Sequence, residues 1–143
     1  MPALQDDLSQ QIAATVAPEL DYSQLPATRK SIPQNLDAWE LVQRGFGHVF
    51  AFDLERIKKG REYFEQAIEV DSGYARAYTG LAWSYSRELW LYPSKSTAEF
   101  RERLLDTAAR AVSLDKFDAE AHAILAMACN WNFEIDRAVV EAE

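Results

Sequence analysis

Apolar residues recur at helical spacing along most of this chain. Leu4, Leu8, Ile12 and Val16 fall four apart, with Ala13 beside them, and predict an amphipathic helix over 4–20. Asp6 and Asp7 stand near its start, where the helix dipole favours negative charge. Residues 21–36 carry two prolines among polar residues and read as a linker. From Leu36 or Asp37 the helical period returns. Leu41, Val42, Phe46, Val49 and Phe50 supply the apolar face, with Asp37 as N-cap and Glu40 as its capping-box partner. Further helices are predicted over 54–70, 75–91 and 98–114. The Asp71-Ser72-Gly73 turn, a break at Pro93-Ser94-Lys95-Ser96 and the Asp115-Lys116-Phe117-Asp118 turn punctuate them, with Ser96 or Thr97 as a cap. Another helix is expected from Ala119 to Cys129, then a turn at Asn130–Asn132 and a last helix from about Phe133.

The pattern also repeats. Glu65–Ala82, EQAIEVDSGYARAYTGLA, returns as Ala109–Ala126, ARAVSLDKFDAEAHAILA. Ala67, Asp71, Ala75, Ala77, Leu81 and Ala82 reappear as Ala111, Asp115, Ala119, Ala121, Leu125 and Ala126, at a constant offset of 44. A helical repeat at fixed offset implies stacked helical hairpins. An offset of 44 alone would suit armadillo or HEAT repeats, but the internal spacing differs from theirs. Tyr78-x-x-Leu81-Ala82-x-x-Tyr85 has the form of a tetratricopeptide first helix. His122-x-x-Leu125-Ala126-x-x-Cys129 and Leu41-x-x-Arg44-Gly45-x-x-His48 are weaker copies. The second-helix pattern appears as Gly60-x-x-x-Phe64-x-x-Ala67 and, loosely, as Leu104-x-x-x-Ala108-x-x-Ala111. The steric reason is common to both: small residues let two backbones approach, and large ones fill the space beside them.

The departures locate insertions. Ser72 and Lys116 stand where the tetratricopeptide pattern places proline. The small positions of paired helices lie 15 residues apart from Gly45 to Gly60, 22 from Ala82 to Leu104 and 12 from Ala126 to Ala138. Only the last matches the consensus of about twelve. The expected fold is therefore all-α, a tetratricopeptide-type superhelical stack of about two and a half hairpins with one extra N-terminal amphipathic helix. Its repeats fall at about 37–72, 73–116 and 117–143, the third cut inside its second helix. Gly60 and Gly80 sit inside helices, where close helix approach explains the missing side chain.

NLDAWELVQRG, EYFEQAIEVDSGYARAYTGLAWSY and WNFEIDRA together resemble the tetratricopeptide region of bacterial class III adenylate/guanylate cyclases and related winged-helix regulators. In that group a TolB-like domain precedes the repeats, and ALQDDLSQQIAATVAPEL resembles its last helix. The resemblance implies a non-catalytic interaction module of a signalling protein, the regulatory region of a cyclase. The alternative it leaves open is the sensory arm of a winged-helix transcription regulator. It also implies that the paired metal-binding carboxylates and nucleotide pocket of a cyclase lie outside this chain.

Composition narrows the partners. A chain of 143 residues, 48% hydrophobic and 27% charged, can bury a core, which excludes a disordered polymer. Its net charge of −8 opposes binding to nucleic acid or anionic membranes. One cysteine, Cys129, excludes a disulfide framework and suits a reducing compartment. With no membrane-spanning apolar run and no basic-then-apolar leader, the cytoplasm is the expected location. No cofactor or metal is expected. Gly45-Phe46-Gly47 lacks the residues of a phosphate loop and reads as small residues at a helix crossing. His48, His122 and Cys129 occupy bulky slots of first helices and are expected in the core. Glu65, Glu69 and Asp71 read as solvated helix charges.

The aromatic residues point to a groove. In a tetratricopeptide stack the first helices line a concave face. Projection places Trp39, Val42, Phe46, Val49 and Phe50 there from the first, Arg76, Thr79, Trp83, Ser86 and Arg87 from the second, and Glu120, Ala123, Met127, Asn130 and Trp131 from the third. The expected groove-lining set is Trp39, Val42, Phe46, Phe50, Arg76, Thr79, Trp83, Arg87, Met127 and Trp131. Two readings stand for so apolar a face: the N-terminal helix or another copy of the chain covers it, or it receives a helix or extended peptide from a partner. Arg76 and Arg87 suit carboxylates in either case. The inserted Trp90-Leu91-Tyr92-Pro93 either packs back or offers a contact surface. The apolar face left by the incomplete third repeat predicts self-association, as a symmetric dimer with the N-terminal helix exchanged.

Overall fold

Asn35 opens the first helix of the structure, a computed structural model that describes residues 35–142, with side chains as far as Phe133. The helix expected at 4–20 and nearly all of the 21–36 linker lie outside the described residues. Helix α1 spans Leu36–Val49, α2 Leu54–Val70, α3 Ala75–Leu91, α4 Ala98–Leu114 and α5 Ala119–Ala142, with a 3₁₀ turn at Pro93–Lys95. The fold is all-α among the described residues.

Local chemistry sets the boundaries. The Asn35 side chain accepts from the Asp37 amide at 2.8 Å, so Asn35 rather than Asp37 is the N-cap of α1. Asp53 caps α2 through the Glu55 amide at 3.0 Å, and Thr97 caps α4 through the Phe100 amide at 3.1 Å. The two repeat turns coincide in conformation. Asp71 has φ −144°, ψ 93° and Asp115 has φ −142°, ψ 97°. Each donates its amide back into the preceding helix, to Ala67 and Ala111, and each side chain accepts an amide two residues on, from Gly73 and Phe117. At these two turns the sequence repeat is thus also a repeat of backbone geometry.

The turn expected at Asn130–Asn132 is absent. The backbone runs helically without interruption from Ala119 to Ala142. No glycine or proline lies in that span, and each asparagine costs a helix at most about 0.7 kcal/mol. Asn132 also donates from its side chain to the Ala128 carbonyl at 2.9 Å, finding its partner inside the helix.

Each helix packs on the next, and α3 also packs on both α1 and α5. The alternate helices α1, α3 and α5 therefore lie side by side. The core between the helices holds Val42, Val49, Ile57, Phe64, Leu89, Leu104 and Ile124, all fully buried. Phe64 is its keystone. An added Cβ would meet the Phe64 ring at 2.6 Å from Gly45 and at 2.1 Å from Gly80, so only glycine at these two positions leaves room for it. Gly60 faces the Gly45 carbonyl, 2.9 Å from where its Cβ would stand, which lets α1 and α2 approach backbone to backbone. A Cβ added at Gly47 would meet nothing within 4 Å, so the crossing role expected for the Gly45-Phe46-Gly47 pair belongs to Gly45 alone.

Candidate functional site

Equivalent positions of the side-by-side helices form rungs. Trp39, Arg76 and Glu120 share one position, Phe46, Trp83 and Met127 the next, and Phe50, Arg87 and Trp131 a third. The contacts between helices run diagonally across these rungs. Phe46 of α1 meets the Arg76 guanidinium of α3, 4.8 Å from the ring centre. Phe50 of α1 meets Trp83 edge-on at 5.7 Å. Trp83 of α3 donates its indole N–H to Glu120 Oε1 of α5 at 3.0 Å, and Arg76 pairs with the other carboxylate oxygen. Both oxygens of Glu120 are therefore engaged within the chain. Phe46 in turn packs on Phe50 at 6.2 Å and on Phe64 at 5.0 Å, linking the face to the core.

The expected groove set divides. Trp39, Phe50 and Met127 are exposed, and Phe46, Arg76, Trp83, Arg87 and Trp131 are half-buried. Val42 and Thr79 are fully buried and belong to the core, not the groove. Thr79 donates its hydroxyl to the Ala75 carbonyl one turn back. The α1 and α3 stripes are wider than one face, so one edge of each projected set turns inward. Val49 and Ser86, projected outward with them, are buried too.

The two arginines also divide. Arg76 is held by Glu120 within the chain. Arg87 has no carboxylate partner among the described residues. Its Nη2 reaches the Phe50 carbonyl at 3.5 Å, the outer limit of a hydrogen bond, and its buried Nε has no partner. Its guanidinium lies against two rings, 5.0 Å from Phe52 and 5.4 Å from Trp90. Those rings lie 6.3 Å apart and are 75% and 57% exposed. Trp90 follows Arg87 by three residues, so helical spacing alone puts them on one face. Phe52 is an aromatic residue in the α1–α2 turn, next to the Asp53 cap; its sequence signal was only that it closes a run of Phe46, Phe50 and Phe52.

A second cluster lies inside the molecule. Arg61 of α2 pairs with Glu88 of α3 at 2.6 Å, with side-chain exposures of 15% and 8%. Its Nε donates to the Ser84 hydroxyl at 3.1 Å, and Nη2 to the Ser84 carbonyl at 3.2 Å. The guanidinium also lies over Tyr85, at 4.5 Å, and near Phe100 of α4, at 5.7 Å. Burial pushes the Tyr85 phenol above its ordinary range, with Arg61 opposing. Burial does the same to Tyr74. The one signal for this staple is that Arg61 interrupts the apolar stripe of Ile57, Phe64 and Ala67.

His48 stacks at 5.7 Å on Tyr63 with a buried, unpartnered Nδ1, in keeping with a packed slot. His122 and Cys129 do not follow: both are exposed, and the buried positions of α5 are Ala121, Ile124 and Ala128 instead. His122 Nε2 instead lies 2.7 Å from the Lys116 carbonyl. Glu65 and Glu69 are exposed, while Asp71 is partly buried and its carboxylate braces the repeat turn. Among the described residues no helix is long and apolar enough to cross a membrane, and no three metal-ligating side chains converge.

The class of molecule these features define is a layered helical array with an aromatic face on its alternate helices. Comparison with known proteins adds no relative: no family model matches the chain, and neither a curated protein nor a solved structure is similar to it.

Proposed function

We propose that this chain is a non-catalytic protein–protein interaction module, built as a tetratricopeptide-type stack, that binds a partner peptide across α1, α3 and α5. The observation that carries the reading is the set of Phe46, Phe50 and Trp83. These rings come from two neighbouring helices, touch one another's neighbours, and keep one side open, with Phe50 48% exposed. Aromatic anchors of this kind dominate peptide and protein interfaces. The matched turns at Asp71 and Asp115 and the packing of α3 on both α1 and α5 support the repeat architecture. The resemblance in its motifs supports a place in a cytoplasmic bacterial signalling protein, as the regulatory region of an adenylate/guanylate cyclase. There, occupancy of the face would bias an attached catalytic domain. Self-association through the exposed apolar residues Leu36, Trp39 and Phe133 is part of the same reading.

The test is selection from a random peptide display library on the immobilised chain. Enriched peptides should lose most of their binding to Phe50→Ala and Trp83→Ala. Circular dichroism checks that both variants keep their helices. Enrichment indifferent to both changes would remove the aromatic face from consideration.

A further inference from the structure

We infer that the Arg87 end of the face is a subsite for a single acidic side chain flanked by apolar residues in a partner's linear peptide. The inference rests on the interaction reading above and narrows it. Three observations carry it. First, the two arginines of the face differ in state. Arg76 is neutralised by Glu120 inside the chain, whereas Arg87 meets no carboxylate among the described residues. Second, Arg87 is packed against aromatic rings and partly desolvated. Phe52 and Trp90 lie against its guanidinium, and its Nε is shielded from solvent without a partner. A carboxylate arriving there forms charge-assisted hydrogen bonds with a pre-positioned donor, so little entropy is lost. Third, the walls are open aromatic surface: Phe52, Trp90 and the neighbouring Phe50 are all exposed. They offer apolar contact on either side of the acid.

Charge fixes the motif further. The chain carries a net charge of −8, so a run of acids is repelled while one acid matched to one arginine is not. The occupant is therefore a peptide with an isolated Asp or Glu beside aromatic or aliphatic residues, docked at the junction of the α1–α2 turn and the C-terminal end of α3.

The same display library supplies the probe. Peptides enriched on the wild-type chain should carry one Asp or Glu next to apolar residues. An enriched peptide, synthesised and titrated by fluorescence polarisation, should bind Arg87→Gln at least about tenfold more weakly. Its acid-to-amide form should lose as much against the wild type, and the two losses should not add. Phe52→Ser, at an exposed position, should weaken the same peptide while leaving the helices intact. Peptides without an acid, or binding unchanged in Arg87→Gln, would overturn the subsite but leave the aromatic face standing. The absence of any enriched peptide would overturn both.

Discussion

Gly45, Gly47 and Gly80 are each one methyl group from alanine, and the structure assigns the three changes opposite signs. At Gly45 and Gly80 the new Cβ would overlap the fully buried Phe64 ring. Overpacking costs about 1–3 kcal/mol, and alanine's better helix propensity offsets up to about 1 kcal/mol of it. Gly80→Ala, the tighter of the two, should lower the urea midpoint, and Gly45→Ala should lower it less. Gly47→Ala meets nothing and should raise stability by roughly 0.5–1 kcal/mol. Titration at Tyr85 gives a second residue-scale outcome. Burial holds its phenol, and that of Tyr74, above the ordinary range. The unfolded chain therefore ionises first as pH rises past about 10. Stability that is fully present below that value should fall as pH climbs toward the folded-state values. Urea midpoints at pH 8, 10 and 11 should show this decline, and Tyr85→Phe should make it shallower.

At the scale of elements, α2 and α3 are joined by the buried Arg61–Glu88 pair. Removing one partner strands the other charge in a poorly solvated site. Glu88→Ala should therefore cost about 3 kcal/mol in chemical denaturation, while the double apolar change Arg61→Leu with Glu88→Leu should recover a good part of it. None of this was legible in the sequence, because residues 27 apart on two helices leave no periodic trace. What periodicity could show, it showed well: α2, α3 and α4 run as expected, since Asp53, Thr97 and the Asp71 turn mark their ends with local chemistry. Elsewhere local signals competed. Asn35 and Asp37 are both good caps, and only the geometry decides for Asn35. Asn130 and Asn132 look like turn residues, yet they continue α5. The site was half legible. Spacing put Phe46, Phe50, Trp83 and Arg87 at positions that the structure leaves at least partly exposed, but it could not separate outward positions from inward ones at the edges of a stripe. That is why Val42 and Thr79 were projected into the groove and lie in the core. The partner of Arg76, Glu120, sits one 44-residue repeat away, so the pair joins the same position in two copies.

At the largest scale, exposed apolar residues stand on the first and last of the described helices. Leu36 and Trp39 lie on α1, and Met127 and Phe133 on α5. Apolar surface of this kind on the first and last described helices favours association between copies. Light scattering across a concentration series should report the mass of a dimer, and a monomer at the highest concentration would count against it. Phe64 gives the array its internal grain. It belongs to α2, yet its pocket is made by a glycine of α1 and a glycine of α3. A hairpin of α1 and α2 alone would leave one wall of that pocket open to water. The smallest piece that can close that pocket is therefore the three helices α1, α2 and α3, and breathing of this chain should respect that boundary: α1, α2 and α3 part together, while α5, which contributes nothing to the pocket, peels away first.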